Sequence, residues 1–270
     1  MKKLLLALFV SLVTLVIAST LVAAGTQEPP IVAHPVAGTP HHVAAESSSS
    51  VYYTVPDEDL IGHLTVTSTV DYAVMTYTTT LTEPYDIAFA ADRVWFTSLG
   101  SNAIGSLNPT NGSIDAYPIP TAASQPVALD VLPGTPLRVW FAQEATGALG
   151  QLVITSTTDF AFQSYPLPAD KFGSSPEVSD VVIQNQDRIW FSAPGAEAIG
   201  SFRPSYWPWS PIAFTPVSDP SGITPQSIIF TQGYPWFTDD SGNQIGKFFP
   251  QTIALFDFYA VPEPNAGVYD

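Results

Sequence analysis

The chain contains no cysteine in its 270 residues. No disulfide can staple it and no thiolate can hold a metal, so its stability rests on apolar packing and sheet hydrogen bonds. Positive charge is almost as scarce: eight Lys and Arg stand against 24 Asp and Glu, a formal net charge of −16. After Lys2 and Lys3, the only lysines are Lys171 and Lys247. Such a surface repels phosphate backbones and anionic lipid, which excludes nucleic acid as a partner. Only 12% of residues are charged, and no segment reads as a long amphipathic helix. Also missing are a Gly-Lys-Ser/Thr phosphate loop, zinc-ligand spacing and a Gly-x-Ser-x-Gly elbow.

What the chain has in quantity is Thr, Val, Ile, Tyr, Phe and Pro, the material of strands and turns. Its N-terminus differs from the rest. Lys2 and Lys3 precede an apolar run from Leu4 to Ala24, which ends in the small residues Val22-Ala23-Ala24. That pattern reads as a secretory signal cleaved before Gly25. The run is also near the ~20 residues that span a bilayer, so an uncleaved N-terminal anchor is the second reading. Both place the protein outside the cytoplasm, secreted or surface-tethered, with the N-terminal helix as its only membrane contact.

An aromatic pair followed at a fixed distance by glycine recurs five times. The copies are Tyr52-Tyr53 with Gly62, Trp95-Phe96 with Gly105, Trp140-Phe141 with Gly150, Trp190-Phe191 with Gly200, and Trp236-Phe237 with Gly246. Ile or Leu precedes each glycine, and successive copies begin 43, 45, 50 and 46 residues apart. A period of that size is the signature of a β-propeller blade. Within each copy, turn residues divide four short strands; Asn111-Gly112, for example, suits a tight hairpin. Neighbouring aromatics on a strand point to opposite faces, so each pair fills two inter-blade gaps. The glycine is expected to make room for an aromatic pressing in from the next sheet.

The expected fold is therefore all-β, a β-propeller of five four-stranded blades. Its parts are a signal or anchor (1–24), a linker or latch strand (25–39), the propeller (40–262) and a C-terminal tail (263–270). Closure has two readings. Ile31-Val36 latches onto blade five as an extra strand, or the ring stays incompletely closed.

The run Val94-Trp95-Phe96-Thr97, a turn, Ile104-Gly105-x-Leu107-x-Pro109, Gly112-x-Ile114 and Tyr117-Pro118-Ile119-Pro120 resembles the streptogramin B lyase (virginiamycin B lyase) repeat, with related patterns in NHL-type propellers. The resemblance extends over about 40–262. It implies a seven-bladed plan and a Mg²⁺-assisted elimination that opens a cyclic depsipeptide. It also implies Glu after Trp-Phe-Thr and His after the proline that opens strand one. Here the first position holds Val55, Ser98, Gln143, Ala193 and Asp239, and the second His41, Tyr85, Val127, Glu177 and Gln226.

Only His41 and Asp239 keep the implied chemistry, so they are the catalytic candidates and the metal ligand set stays unknown. His41, Tyr85, Asp86, Glu177, Gln226 and Asp239 are the ligand-binding candidates at the channel mouth. Tyr206, Trp207 and Trp209 form an aromatic loop able to stack on a sugar or a protein. The preferred expectation is a non-catalytic module for a protein, glycan, envelope or small-molecule partner, with no cofactor. The alternative is a divergent lyase using Mg²⁺.

Overall fold

The computed structural model describes residues 15–16, 33–68, 70–168, 176–206, 213–216, 223–239, 241–250 and 255–261. Their architecture is all-β: five four-stranded antiparallel sheets arranged as a propeller. A two-stranded pairing precedes them, β1 (Leu15–Val16) with β2 (Ala33–His34). Apart from Leu15–Val16, the apolar leader lies outside the described residues, as does the tail beyond Val261.

Blade one runs β3 (Val43–Ala45), β4 (Ser50–Val55), β5 (Leu60–Val66), β6 (Tyr72–Thr78). Blade two is β7 (Pro84–Ala90), β8 (Arg93–Ser98), β9 (Ala103–Leu107), β10 (Ile114–Pro118). Blade three is β11 (Pro126–Leu132), β12 (Leu137–Gln143), β13 (Ala148–Ser156), β14 (Asp159–Pro166). Blade four is β15 (Asp180–Asn185), β16 (Arg188–Ala193), β17 (Ala198–Phe202), β18 (Ala213–Pro216). Blade five is β19 (Pro225–Thr231), β20 (Tyr234–Asp239), β21 (Gln244–Phe249), β22 (Leu255–Ala260). In each sheet the strands follow chain order from the inside outward.

The aromatic pairs divide between faces as the alternation requires. Trp95 packs toward blade three, against Leu129, Val131, Val139 and Phe141. Trp140 meets Val181, Ile189 and Phe191 of blade four, and Trp190 meets Ile228, Phe237 and Phe248 of blade five. Each interface thus joins the Trp face of one blade to the Phe face of the next. Burying each ring contributes about 2–3 kcal/mol.

The glycines serve a different neighbour from the one expected. Phe96 lies directly across the ladder from Gly105, and Phe141, Phe191 and Phe237 likewise from Gly150, Gly200 and Gly246. A Cβ on Gly105 would sit 2.2 Å from Phe96 Cζ, and one on Gly62 1.9 Å from Tyr53 Cζ. The ring that fills the space above each glycine therefore belongs to the same sheet. Strand pairing, not sheet stacking, imposes the residue.

A second rule holds three residues before each glycine. Asp59, Asn102, Gly147, Glu197 and Asn243 all adopt left-handed backbone, with φ between 46° and 57°. The Asp59, Asn102 and Asn243 side chains tie the turn to the departing chain. Asp59 accepts from the Glu83 amide at 2.8 Å, and Asn102 donates to Ile119 and Thr121 carbonyls at 3.2 and 2.9 Å. Acid in these turns is thus partly a tether.

The two ends of the arc differ. Val36 packs on the Val51, Tyr53, Val55 and Leu64 face of blade one, covering it. Blade five stays four-stranded, with β2 paired to β1. Inner strands pack β3 on β7, β7 on β11, β11 on β15 and β15 on β19, with no comparable packing from β19 back to β3. Accordingly Trp236 is half-buried and Tyr259 is 48% exposed, whereas Trp95, Trp140 and Trp190 are at most 2% exposed.

Gly150→Ala is expected to lower stability by about 1–3 kcal/mol through overpacking against Phe141. Adding Phe141→Leu should make the double variant less destabilised than the sum of its single changes, measured by chemical denaturation.

Candidate functional site

Most of the candidates lie at or just before the start of an inner strand. At blades one and two, His41, His42 and Tyr85 come together. The ring centroids are 4.4 Å apart for His41–Tyr85, 4.5 Å for His41–His42 and 4.8 Å for His42–Tyr85. His41 is exposed; His42 and Tyr85 are half-buried. Thr54 organises the group: its hydroxyl donates to the Tyr85 carbonyl at 2.6 Å and accepts from the His42 amide at 3.1 Å. His42 Nδ1 lies 2.9 Å from the Tyr85 carbonyl and 2.8 Å from His41 Nδ1. A carbonyl only accepts, so the proton sits on His42 Nδ1 and is shared with the His41 lone pair. The result is a partly exposed cluster of three mutually tilted rings fixed to two blades.

The carboxylates are placed otherwise. Asp86 Oδ2 accepts from the Leu129 amide of blade three at 2.6 Å. Asp130 accepts from Ile183 of blade four at 2.8 Å, and Asp180 from Ile228 and the Ser227 hydroxyl of blade five at 2.7 and 2.9 Å. These side chains stitch one inner strand to the next. Asp239 is fully buried, accepting from the Thr224 amide at 3.0 Å, the Ser241 hydroxyl at 2.7 Å and the Gln244 amide group at 3.0 Å. It therefore caps the chain around its own turn.

The positions where the resemblance implied Glu share this burial. Val55, Ser98, Gln143, Ala193 and Asp239 are each at most 1% exposed. Ser98 donates to the Thr82 carbonyl and Gln143 to the Ser164 hydroxyl. Gln226 offers its carbonyl to Ser179 and Ser192. Glu177 is exposed, with left-handed backbone. Tyr206 is 52% exposed beneath the Arg203 guanidinium, 5.9 Å from the ring centroid; Trp207 and Trp209 lie outside the described residues.

The structure thus brings His41 and Tyr85 together and leaves Asp239 in a separate network. Among the described residues no three His, Asp or Glu side chains form a group able to hold a metal. Mg²⁺ needs several oxygen donors, and Asp86 and Asp239 already serve amide and hydroxyl donors, so this donor set does not fit it.

Sequence reasoning passed over one polar cluster. Ser50 Oγ donates to Glu46 at 2.6 Å and lies 2.7 Å from His63 Nε2. His63 stacks on Tyr52, with centroids 4.2 Å apart. Burial, and then the Glu46 charge, push the Tyr52 hydroxyl up to about 12. The signal is weak because Glu46 lies outside the repeat frame.

Burial, reinforced by the Glu177 charge, raises the Glu144 carboxyl above its ordinary value. The folded protein then holds this proton after the unfolded chain has released it. Its contribution is present below the ordinary carboxyl pKa and is lost as pH rises through the folded value. Glu177→Gln should lower the Glu144 pKa but leave it above an exposed glutamate, read by carbon-detected NMR titration.

With this geometry, the known proteins it is similar to can be compared. No curated protein matches the chain. Among solved structures, selenomethionine-substituted virginiamycin B lyase from Staphylococcus aureus superposes with a TM-score of 0.68 at 23% identity, over 84% of this chain and 72% of the lyase. A streptogramin B lyase structure gives 0.67 at 22% identity, over 84% and 70%. A propeller from the nidogen/laminin complex gives 0.63 at 13% identity, over 86% and 84%. These likenesses speak for the fold. The virginiamycin B lyase family pattern itself matches residues 23–227. The chain belongs to the virginiamycin B lyase family.

Proposed function

We propose that this chain is an extracytoplasmic binding module, exported or tethered by its apolar leader, that takes a protein, glycan or small-molecule partner without transforming it. The observation that carries this reading is the division of labour among its polar residues. Asp86 and Asp239 are engaged in structural hydrogen bonds, while the His41–His42–Tyr85 ring cluster reaches solvent through the exposed His41. Aromatic faces held on rigid strands favour flat apolar or sugar rings. Tyr206 adds a second exposed ring on blade four.

Family membership and the retained His41 favour a second reading, a divergent lyase. Its chemistry would be proton abstraction α to a carbonyl, which needs a base near the substrate and stabilisation of the developing oxyanion. His41 could serve as the base. No described carboxylate group supports a metal beside it.

Purified protein incubated with a streptogramin B and Mg²⁺ is expected to leave the ring closed, followed by mass spectrometry. Linearisation that disappears in His41→Ala would establish the lyase instead. On a glycan array and on solubilised envelope extract, Tyr85→Ala should weaken the strongest wild-type signal by roughly tenfold, the scale of losing a central aromatic contact. Equal signals for both proteins would place binding elsewhere.

A further inference from the structure

We propose that the outer strand of blade one is a self-association edge, and that β6 pairs antiparallel with β6 of a second copy of this chain. The strand bonds β5 on one side, and among the described residues no strand pairs with its other edge. Six of its seven residues are exposed. An open edge is a row of unpaired amides and carbonyls, and another strand satisfies them directly.

Composition separates this edge from the other four. β10 carries Asp115 and Pro118, β14 carries Asp159 and Pro166, β18 ends in Pro216, and β22 carries Asp257. Charge and proline are the usual means of keeping an edge unpaired. β6 reads Tyr-Ala-Val-Met-Thr-Tyr-Thr and has neither. Exposed apolar side chains also gather here: Val70 is 79% exposed, Met75 55%, Tyr72 40% and Val74 36%. Among the described residues the other large ones, Phe160, Tyr206 and Tyr259, are spread over three different blades.

The self-complementary sequence of β6 favours a second copy as the occupant, and charge confines the contact to this strand. Two copies each carrying −16 repel over most of their surface. At β6 no carboxylate needs to face another. A two-fold axis through Met75 sets Tyr77 opposite Ala73, Val74 opposite Thr76 and Tyr72 opposite Thr78. Asp71, just before the strand, falls opposite Thr79. Both large tyrosines meet small residues, Met75 meets its own copy, and the pairing is symmetric about the axis, as a two-fold interface requires. The joined sheets would form one eight-stranded sheet across two propellers.

The absence of native cysteine makes a clean test possible. In Met75→Cys the paired α-carbons would lie about 4.5–5.5 Å apart, within reach of a disulfide. Mild oxidation of the full chain should give a disulfide-linked dimer in high yield, while Phe160→Cys on β14 should give little. Sedimentation of the wild type from micromolar to submillimolar concentration should show a monomer–dimer equilibrium. Val74→Glu, with its thermal melt checked, should weaken it at least tenfold. A wild type monomeric throughout, with no excess Met75→Cys product, would overturn the proposal. So would a dimer indifferent to Val74→Glu, since it would use another surface. If Val74→Glu does not fold, the comparison of the two cysteine variants decides.

Discussion

The contact on which the rest of the structure depends is an aromatic ring seated over the glycine across the ladder from it. Phe96 on Gly105, Phe141 on Gly150, Phe191 on Gly200 and Phe237 on Gly246 repeat it, with Tyr53 on Gly62 in blade one. The ring has to lie there because the preceding aromatic on its strand projects from the other face. Each sheet is thereby given two unlike faces, and unlike faces stack in one direction only. The propeller grows from this asymmetry. Its ends follow from it too: blade one's Phe-type face is covered by Val36, and blade five's Trp-type face keeps Trp236 half-buried and Tyr259 exposed.

Apolar stacking leaves inner backbone amides to be satisfied where neighbouring sheets converge on the axis. Asp86, Asp130 and Asp180 meet this need, each reaching an amide on the following blade. Thr54 and the Ser179–Ser192 pair do the same work from carbonyl acceptors, at Tyr85 and Gln226. A carboxylate accepting a backbone amide is a charge-assisted bond, stronger than a neutral one. This explains how an acidic protein without disulfides holds its blades in register. It also leaves the axis with few uncommitted acids, which shapes what the mouth can do chemically.

The sequence made the repeat legible because its aromatic and glycine positions answer to strand alternation, which is local. Four strands per blade, five blades and the opposite faces of each aromatic pair all follow from it. What the glycines accommodate was not legible, since same-sheet and next-sheet rings leave the same residue pattern. Nor were the roles of Asp86 and Asp239. A pattern of positions shows that an acid is near the axis; only geometry shows whether amides already claim it. The His41–His42–Tyr85 cluster lay half in view, because the strand-opening prolines aligned His41 with Tyr85 while His42 fell outside that alignment. The Glu46–Ser50–His63 cluster gave no periodic signal at all.

Once the ring-on-glycine contact has set the stacking direction, the inner-strand carboxylates hold blade to blade, and on this the chemistry of the mouth depends. Hydrogen exchange at the Ile228 amide, compared between wild type and Asp180→Ala, tests it most directly. Loss of the acceptor should leave that amide unsatisfied at a cost of about 1–3 kcal/mol. Its exchange should then accelerate together with neighbouring amides of β19, at the junction of blades four and five. Unchanged protection at Ile228, with blade five as stable as before, would contradict the account and return Asp180 to the pool of residues available for ligand chemistry.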